Sequence, residues 1–173
     1  STLGPFISTG DLNNDGKEDI FIGGAHRQEA KIFLSNDNEL IEKSNESFEI
    51  DSKNEDMESI FIDIDNDNDL DLYVVSGGNE FNNRSIELAD RIYLNDGKGN
   101  FKRDTQEDLQ NYTISGKTVT EIDYDNDGDS DIIIGNRIQT KKYPIHEPSI
   151  IYENISGKFY NNTYNIAPEF ENF

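Results

Sequence analysis

The chain has no cysteine, no tryptophan and only two histidines in 173 residues, and its 15 basic residues face 36 acidic ones. Without cysteine no disulfide braces the fold, and no thiol serves as nucleophile or metal ligand. With a formal net charge of −21 and no basic stripe, the chain lacks the phosphate-neutralising surface that nucleic-acid binding requires. An anionic membrane is an equally poor partner. No apolar run approaches the roughly 18 residues of a membrane-spanning helix, which argues against direct membrane insertion. The first five residues carry no basic-then-apolar signal pattern and read as a mature or internal start. No serine-nucleophile elbow or phosphate-cradling glycine loop is present. A hydrophobic content of 33% at this charge leans toward disorder, but ten Phe, eight Tyr and compact Ile/Val/Leu runs oppose it. The reading is a folded chain whose stability depends on bound cations.

What the sequence has instead is one acidic nonapeptide in three copies: DLNNDGKED from Asp11 to Asp19, DIDNDNDLD from Asp63 to Asp71, and DYDNDGDSD from Asp123 to Asp131. Each places an oxygen-bearing side chain at positions 1, 3, 5 and 9. Asp11, Asn13, Asp15 and Asp19 form the first set, Asp63, Asp65, Asp67 and Asp71 the second, and Asp123, Asp125, Asp127 and Asp131 the third. Alternate residues point inward when a backbone wraps an ion, so Lys17, Asp69 and Asp129 at position 7 offer main-chain carbonyls. Ca²⁺ takes about 6–8 oxygens, with water filling vacancies; Mg²⁺ demands a tighter octahedron and zinc prefers Cys and His. About three Ca²⁺ ions are therefore expected, leaving a strongly acidic surface. Position 6 must turn sharply: Gly16 and Gly128 supply that freedom, and Asn68 is the next most tolerant residue. An EF-hand is excluded, because position 12 is Ile22, Val74 or Ile134 rather than a bidentate Glu, and β-branched runs follow in place of helices.

The nonapeptides begin at 11, 63 and 123, steps of 52 and 60 residues, a spacing typical of propellers and other repeat arrays. Four short strand candidates fall in each unit: before the loop at 6–9, 59–62 and 119–122, and after it at 20–24, 70–78 and 132–136. The third set is 31–35, 91–95 and 150–154, and the fourth is 39–42, 101–103 and 159–161. Polar turns at 36–38, 96–100 and 155–158 join the last two. Four strands in about 50 residues is one propeller blade. Residues 43–56 and 104–116 read as surface excursions, 86–91 as a short helix, and 138–144 as an irregular insertion.

These residues resemble the integrin-α-type FG-GAP and bacterial VCBS-type repeats, through Asp11–Asp19 with Gly23 and Gly24, Asp63–Asp71 with Gly77 and Gly78, and Asp123–Asp131 with Gly135. The Leu94–Phe101 turn is similar too. The departures are Asn68 for glycine and Asn136 for a second glycine. The resemblance implies an all-β fold of β-propeller blades, each of four antiparallel strands. Units of about 6–50, 57–105 and 117–163 make about three blades, with 164–173 as entry to a further one. Such propellers close with about seven or eight blades, so a partial propeller, a fragment of a longer chain, is expected.

The functional reading is a calcium-binding, non-catalytic module of a secreted or cell-surface protein, outer-membrane-associated if the source is Gram-negative, contacting protein or glycan. The rival readings are the propeller of a polysaccharide lyase-like, carbohydrate-active enzyme, and a lectin. His26 and His146 would be the enzyme's candidates, although surface placement explains them more simply. Phe21, Phe33, Phe61, Tyr73, Tyr93 and Tyr152 read as strand core rather than a sugar-stacking platform. Asn45, Asn83, Asn111, Asn154 and Asn161 head glycosylation sequons, relevant only in a eukaryotic secretory protein.

Overall fold

The computed structural model describes residues 6–136 and 139–172. Twelve strands form three separate four-stranded antiparallel sheets, each built from consecutive strands in chain order. The first contains β1 (Ile7–Gly10), β2 (Asp19–Ile22), β3 (Lys31–Asn36) and β4 (Glu39–Lys43). The second contains β5 (Asp56–Ile62), β6 (Asp71–Ser76), β7 (Arg91–Leu94) and β8 (Lys102–Asp104). The third contains β9 (Gly116–Ile122), β10 (Asp131–Asn136), β11 (Ile150–Ile155) and β12 (Lys158–Asn161). All twelve coincide within a few residues with the strands expected from β-branched runs and turn residues. The leading strands lie side by side, β1 against β5 and β5 against β9. That stacking is propeller-like.

The second sheet explains why its sequence is the most apolar. Every residue of β6 is buried. Leu72 and Val74 face the first sheet, in a cluster with Leu12, Phe21, Ile32, Tyr93 and Phe101. Tyr73 and Val75 face the third, with Ile64, Ile92, Ile132, Ile134, Tyr152 and Phe159. A strand covered on both faces loses the alternation of a half-exposed one. In β2 the alternation survives, with Asp19 and Phe21 buried and Ile20 and Ile22 only partly so. Of the aromatics read as core, Phe33 is only half-buried. Phe61 packs edge-on to Phe21, 6.4 Å between ring centres.

The segments read as surface excursions prove to be structural. Each contains a short helix, α1 (Glu46–Ile50) and α2 (Glu107–Asn111), and each helix inserts one residue, Phe48 or Leu109, into an inter-sheet core. Phe48 meets Phe21 and Tyr93 with ring centres 5.7 and 4.9 Å apart. One apolar residue in a five-residue helix produces no periodic pattern, which is why the sequence looked like loop. Asn45 caps α1 by accepting the Ser47 N–H. A third helix, α3 (Thr163–Ile166), follows β12 as α1 follows β4 and α2 follows β8, and a 3₁₀ turn, Pro168–Asn172, comes after it. The last residue of the expected entry segment, Phe173, lies outside the described residues. The helix expected at 86–91 is a single 3₁₀ turn, Ile86–Leu88. Of the insertion read over 138–144, residue 138 lies outside the described residues. The rest is irregular and tied to the second unit by Lys141–Asn82 (2.9 Å), and Glu147 just beyond it pairs with Arg84 (3.2 Å).

A polar network spans the first two sheets. Arg91 and Asp56 form a buried ion pair, and the other Asp56 oxygen accepts the Gly24 N–H at 2.6 Å. Arg91 also donates to Ser76 Oγ (3.1 Å) and Tyr93 Oη (3.2 Å), and Tyr93 donates to Asp51 (2.8 Å). A buried pair this thoroughly hydrogen-bonded recovers much of its desolvation cost.

Candidate metal centre

Each nonapeptide is the connection between the first and second strands of its sheet. Its register is the same three times: Gly10 opposite Asp19, Ile62 opposite Asp71, and Ile122 opposite Asp131. Position 9 thus opens the second strand, with its side chain turned back under the loop. One Oδ accepts the position-2 N–H, from Leu12 (2.9 Å), Ile64 (3.0 Å) or Tyr124 (3.1 Å). The other accepts the N–H at the end of the third strand, from Ser35 (2.7 Å), Asn95 (2.8 Å) or Asn154 (2.8 Å). All three position-9 carboxylates are buried. Each oxygen keeps a lone pair after accepting one N–H, so capacity for a cation remains.

Position 1 shapes the turn. Asp11 accepts from Asp15 N (3.0 Å) and Gly16 N (2.8 Å), and Asp63 from Asp67 N (3.1 Å) and Asn68 N (2.9 Å). Position 5 bends the other way: Asp15, Asp67 and Asp127 accept the position-7 N–H at 3.0, 2.9 and 2.8 Å. The carboxylates that converge are positions 1, 3 and 9. Asp63, Asp65 and Asp71 lie with one oxygen each within 4.8 Å of one another, and Asp123, Asp125 and Asp131 do the same. In the first loop Asn13 holds position 3 between Asp11 and Asp19. Gly16, Asn68 and Gly128 all have positive φ, 82°, 71° and 96°, so Asn68 takes the same left-handed turn as glycine. Position 4 does so too, Asn14, Asn66 and Asn126 lying at φ 57–61°. Sequence reasoning had not singled out that position.

The electrostatics of the loops favour a cation. Burial pushes Asp71 up to about 7 despite its two N–H donors, and raises Asp131 likewise. Burial, then Asp67 and Asp63, raise Asp65. Desolvated carboxylates crowded together resist ionisation unless a positive charge joins them. All the donors are hard oxygens, with no nitrogen or sulfur ligand among positions 1, 3, 5 and 9, which suits Ca²⁺.

The position-7 side chains, set aside as non-coordinating, bind elsewhere. Lys17 pairs with Asp37 (3.0 Å) in the turn of its own sheet. Asp69 accepts from Asn14 Nδ2 (2.8 Å) of the preceding loop, and Asp129 from Asn66 Nδ2 (2.5 Å). Asn95 and Asn154, unmarked in the sequence beyond a strand end and a sequon, make a second set of links. Asn95 Nδ2 donates to Leu12 O (2.9 Å) and Leu70 O (3.1 Å), and Asn154 Nδ2 to Ile64 O (2.8 Å) and Ser130 O (3.2 Å). Asn154 is wholly buried, so its amide serves the fold and is closed to glycan attachment. Leu12 and Ile64, also wholly buried, pin the loops to the core at position 2.

The two histidines lie away from these loops. His26 Nδ1 is 2.7 Å from Lys53 O, and its ring packs edge-on to Phe81 with centres 5.0 Å apart. His146 is exposed in the irregular segment before β11.

The FG-GAP-like repeat model matches residues 11–74 and 63–134, each match starting on a nonapeptide and running through the strand after the next. The chain belongs to the FG-GAP-like repeat family. The matched FG-GAP residues thus include all three nonapeptides and the strand that each one opens. No curated protein matches this chain. Among solved structures, a lectin from Agrocybe aegerita, described for its specific recognition of non-reducing terminal N-acetylglucosamine, is similar at a TM-score of 0.52 and 19% identity. The match covers 89% of this chain and 36% of that one, so these FG-GAP repeats span about a third of the lectin's length. At that identity the likeness speaks to fold. Among the described residues, no helix is long and apolar enough to cross a membrane.

Proposed function

We propose that the chain is a calcium-stabilised, non-catalytic propeller segment that presents loops to a protein or glycan at a cell surface. The observation that carries the proposal is the convergence of the position-1, position-3 and position-9 carboxylates in the second and third loops, with all three loops sharing one register in their sheets. Asp11, Asn13, Asp15 and Asp19 would hold one ion, Asp63, Asp65, Asp67 and Asp71 a second, and Asp123, Asp125, Asp127 and Asp131 a third. The carbonyls of Lys17, Asp69 and Asp129 would complete each set. A bound ion supplies charge neutralisation and cross-links the loop to the second strand. The blades would be 6–50, 57–105 and 117–163, within a ring of about seven or eight. Support for a longer ring comes from the partly exposed apolar residues on the far face of the first sheet, Ile7, Ile20, Ile22 and Phe33.

Glycan binding is the second reading, favoured by the lectin likeness, and an extracellular location fits the weak affinity of calcium modules there, about 10⁻⁴–10⁻³ M. A glycan array set against a screen of surface proteins separates the two kinds of partner. The metal claim is tested by calorimetric Ca²⁺ titration and by melting in Ca²⁺ or EDTA. At a hundredfold excess over Kd each site contributes about 2.7 kcal/mol, so three sites should raise the melting temperature by more than about 10 °C. No heat of binding and no change in melting would overturn it.

A further inference from the structure

We infer that Asn14 and Asn66 are positioning residues that connect the three loops into a row, so that an ion in one loop raises the affinity of its neighbour and, by linkage, the neighbour's ion raises that of the first. The inference rests on the calcium reading above and adds communication between sites. Each asparagine occupies position 4, between two ligand positions of its own loop, and is held left-handed by the turn. Its side chain leaves that loop and donates to the position-7 carboxylate of the following one, Asn14 to Asp69 and Asn66 to Asp129. Under the calcium reading, position 7 is the residue whose main-chain carbonyl would join the ion's ligands. Closing one loop therefore fixes the residue that contributes a ligand to its neighbour. The Asp129 carboxylate is also held from its own sheet by Ser156 N–H at 2.9 Å, so the donor from the preceding loop meets a side chain already aimed.

A second, buried link runs parallel to the first. Asn95 bridges the position-2 carbonyl of the first loop and the position-8 carbonyl of the second, and Asn154 does the same between the second and third. The first unit carries neither receiving group. Its position 7 is Lys17, turned to Asp37, and the place of Asn95 and Asn154 is taken by Ser35, whose hydroxyl donates to Glu18 O of its own loop. The row thus has a polarity, from the first loop to the third. Asn126 repeats the geometry of Asn14 and Asn66 at φ 61°, but no loop follows it among the described residues. It is an internal control.

The third loop also offers its own reporter. Tyr124 stands at position 2 of that loop, where the other loops have Leu12 and Ile64, so the part of the tyrosine-sensitised Tb³⁺ luminescence that Tyr124→Phe removes reports the third site. The experiment titrates the full chain with Tb³⁺ in four forms: unmodified, Asp65→Ala to disable the second loop, Asn66→Gly, and both together. Glycine keeps the left-handed turn and removes only the amide. Disabling the second loop should weaken Tb³⁺ at the third by about fivefold, the net worth of one solvent-exposed hydrogen bond. Asn66→Gly should weaken it similarly, and the two changes together should add little, the signature of a shared path. Asn126→Gly should alter the third site by less than twofold. Third-site affinity that ignores Asp65→Ala, or coupling that persists in Asn66→Gly, would overturn the inference. Absence of ion binding to the unmodified chain would instead remove the calcium reading itself.

Discussion

Replacing Asn154 with alanine tests whether the sheets are held together by polar links as well as by apolar contact. The side chain is wholly buried and its amide uses three hydrogen-bonding positions. Nδ2 donates to Ile64 O at 2.8 Å and Ser130 O at 3.2 Å, and Oδ1 accepts Gly157 N–H at 2.8 Å. Truncation leaves the buried Ile64 carbonyl and Gly157 N–H, and the half-buried Ser130 carbonyl, without these partners. Each orphaned neutral group costs about 1–3 kcal/mol; the longer contact to Ser130 counts least, giving roughly 3–5 kcal/mol in all. A domain of this size has about 5–15 kcal/mol to lose, and its melting temperature moves about 2–4 °C per kcal/mol. Asn154→Ala should therefore melt roughly 10 °C lower, in EDTA as well as in Ca²⁺, because the lost bonds do not involve an ion. Thermal and urea unfolding monitored by circular dichroism give the answer. Asn161→Ala, on the half-buried final strand, should lose less than half as much. An Asn154→Ala protein melting within 2 °C of the unmodified chain would refute the claim that this amide joins the second and third sheets.

Three further outcomes follow from the same geometry. Burial pushes Asp90 up to about 7 although Ser76 N–H and Tyr73 Oη–H both donate to it at 2.8 Å. Its folded pKa exceeds the unfolded value, so its contribution is complete below about pH 4 and lost as pH rises through about 7. Asp90→Asn, a mimic of the protonated acid, should match the unmodified chain near pH 4 and exceed it by roughly 4 kcal/mol near pH 8 in urea unfolding; a pH-independent difference would contradict this. Arg91→Met strands the buried Asp56 carboxylate and should cost about 3–5 kcal/mol by the same assay, with Asp56→Asn in the same chain restoring part of it; no restoration would mean that the charge is not what matters. A Cβ at Gly24 would meet Gln28 O at 2.2 Å and Ala30 N at 3.1 Å, whereas one at Gly16 meets nothing within 4 Å. Gly24→Ala should thus destabilise by about 1–3 kcal/mol through overpacking and Gly16→Ala by about 1 through φ alone, an order that thermal melting would reverse if sterics were not limiting.

The loops and strands were legible because each obeys a short-range rule. β-branched residues between Asn/Gly turns mark strands, and alternate oxygens mark a turn that gathers carboxylates, so all twelve strands could be read directly; of the expected positions 1, 3, 5 and 9, the carboxylates at 1, 3 and 9 are the ones that come together in the second and third loops. Phe48 and Leu109 were not legible, because a helix of five residues with one buried side chain leaves no period to detect. Asn95 and Asn154 stayed hidden for a different reason. Their partners, Leu12 O and Ile64 O, lie 83 and 90 residues away in sequence, and main-chain carbonyls carry no residue-type signal.

That difference bears on how the repeats hold together. The nonapeptide invites a view of three independent ion sites, each complete in its own hairpin. The side chains that leave the ligand set argue otherwise. The metal chemistry leaves the side chains at positions 2, 4 and 7 unspecified, and in the second loop all three are spent on neighbours. Position 2 buries Leu12 and Ile64 between sheets, position 4 donates forward, and position 7 receives. A ligand-forming residue cannot also be adjusted to fit an adjacent sheet without disturbing the ion, so the interleaved positions carry the inter-sheet contacts. Lys17 marks where the alternation changes: a cation at position 7 cannot accept from an asparagine, and it turns instead to Asp37 within its own sheet. Positions 1, 3, 5, 6 and 9 of the repeat close a loop, and positions 2, 4 and 7 decide which sheet may follow which.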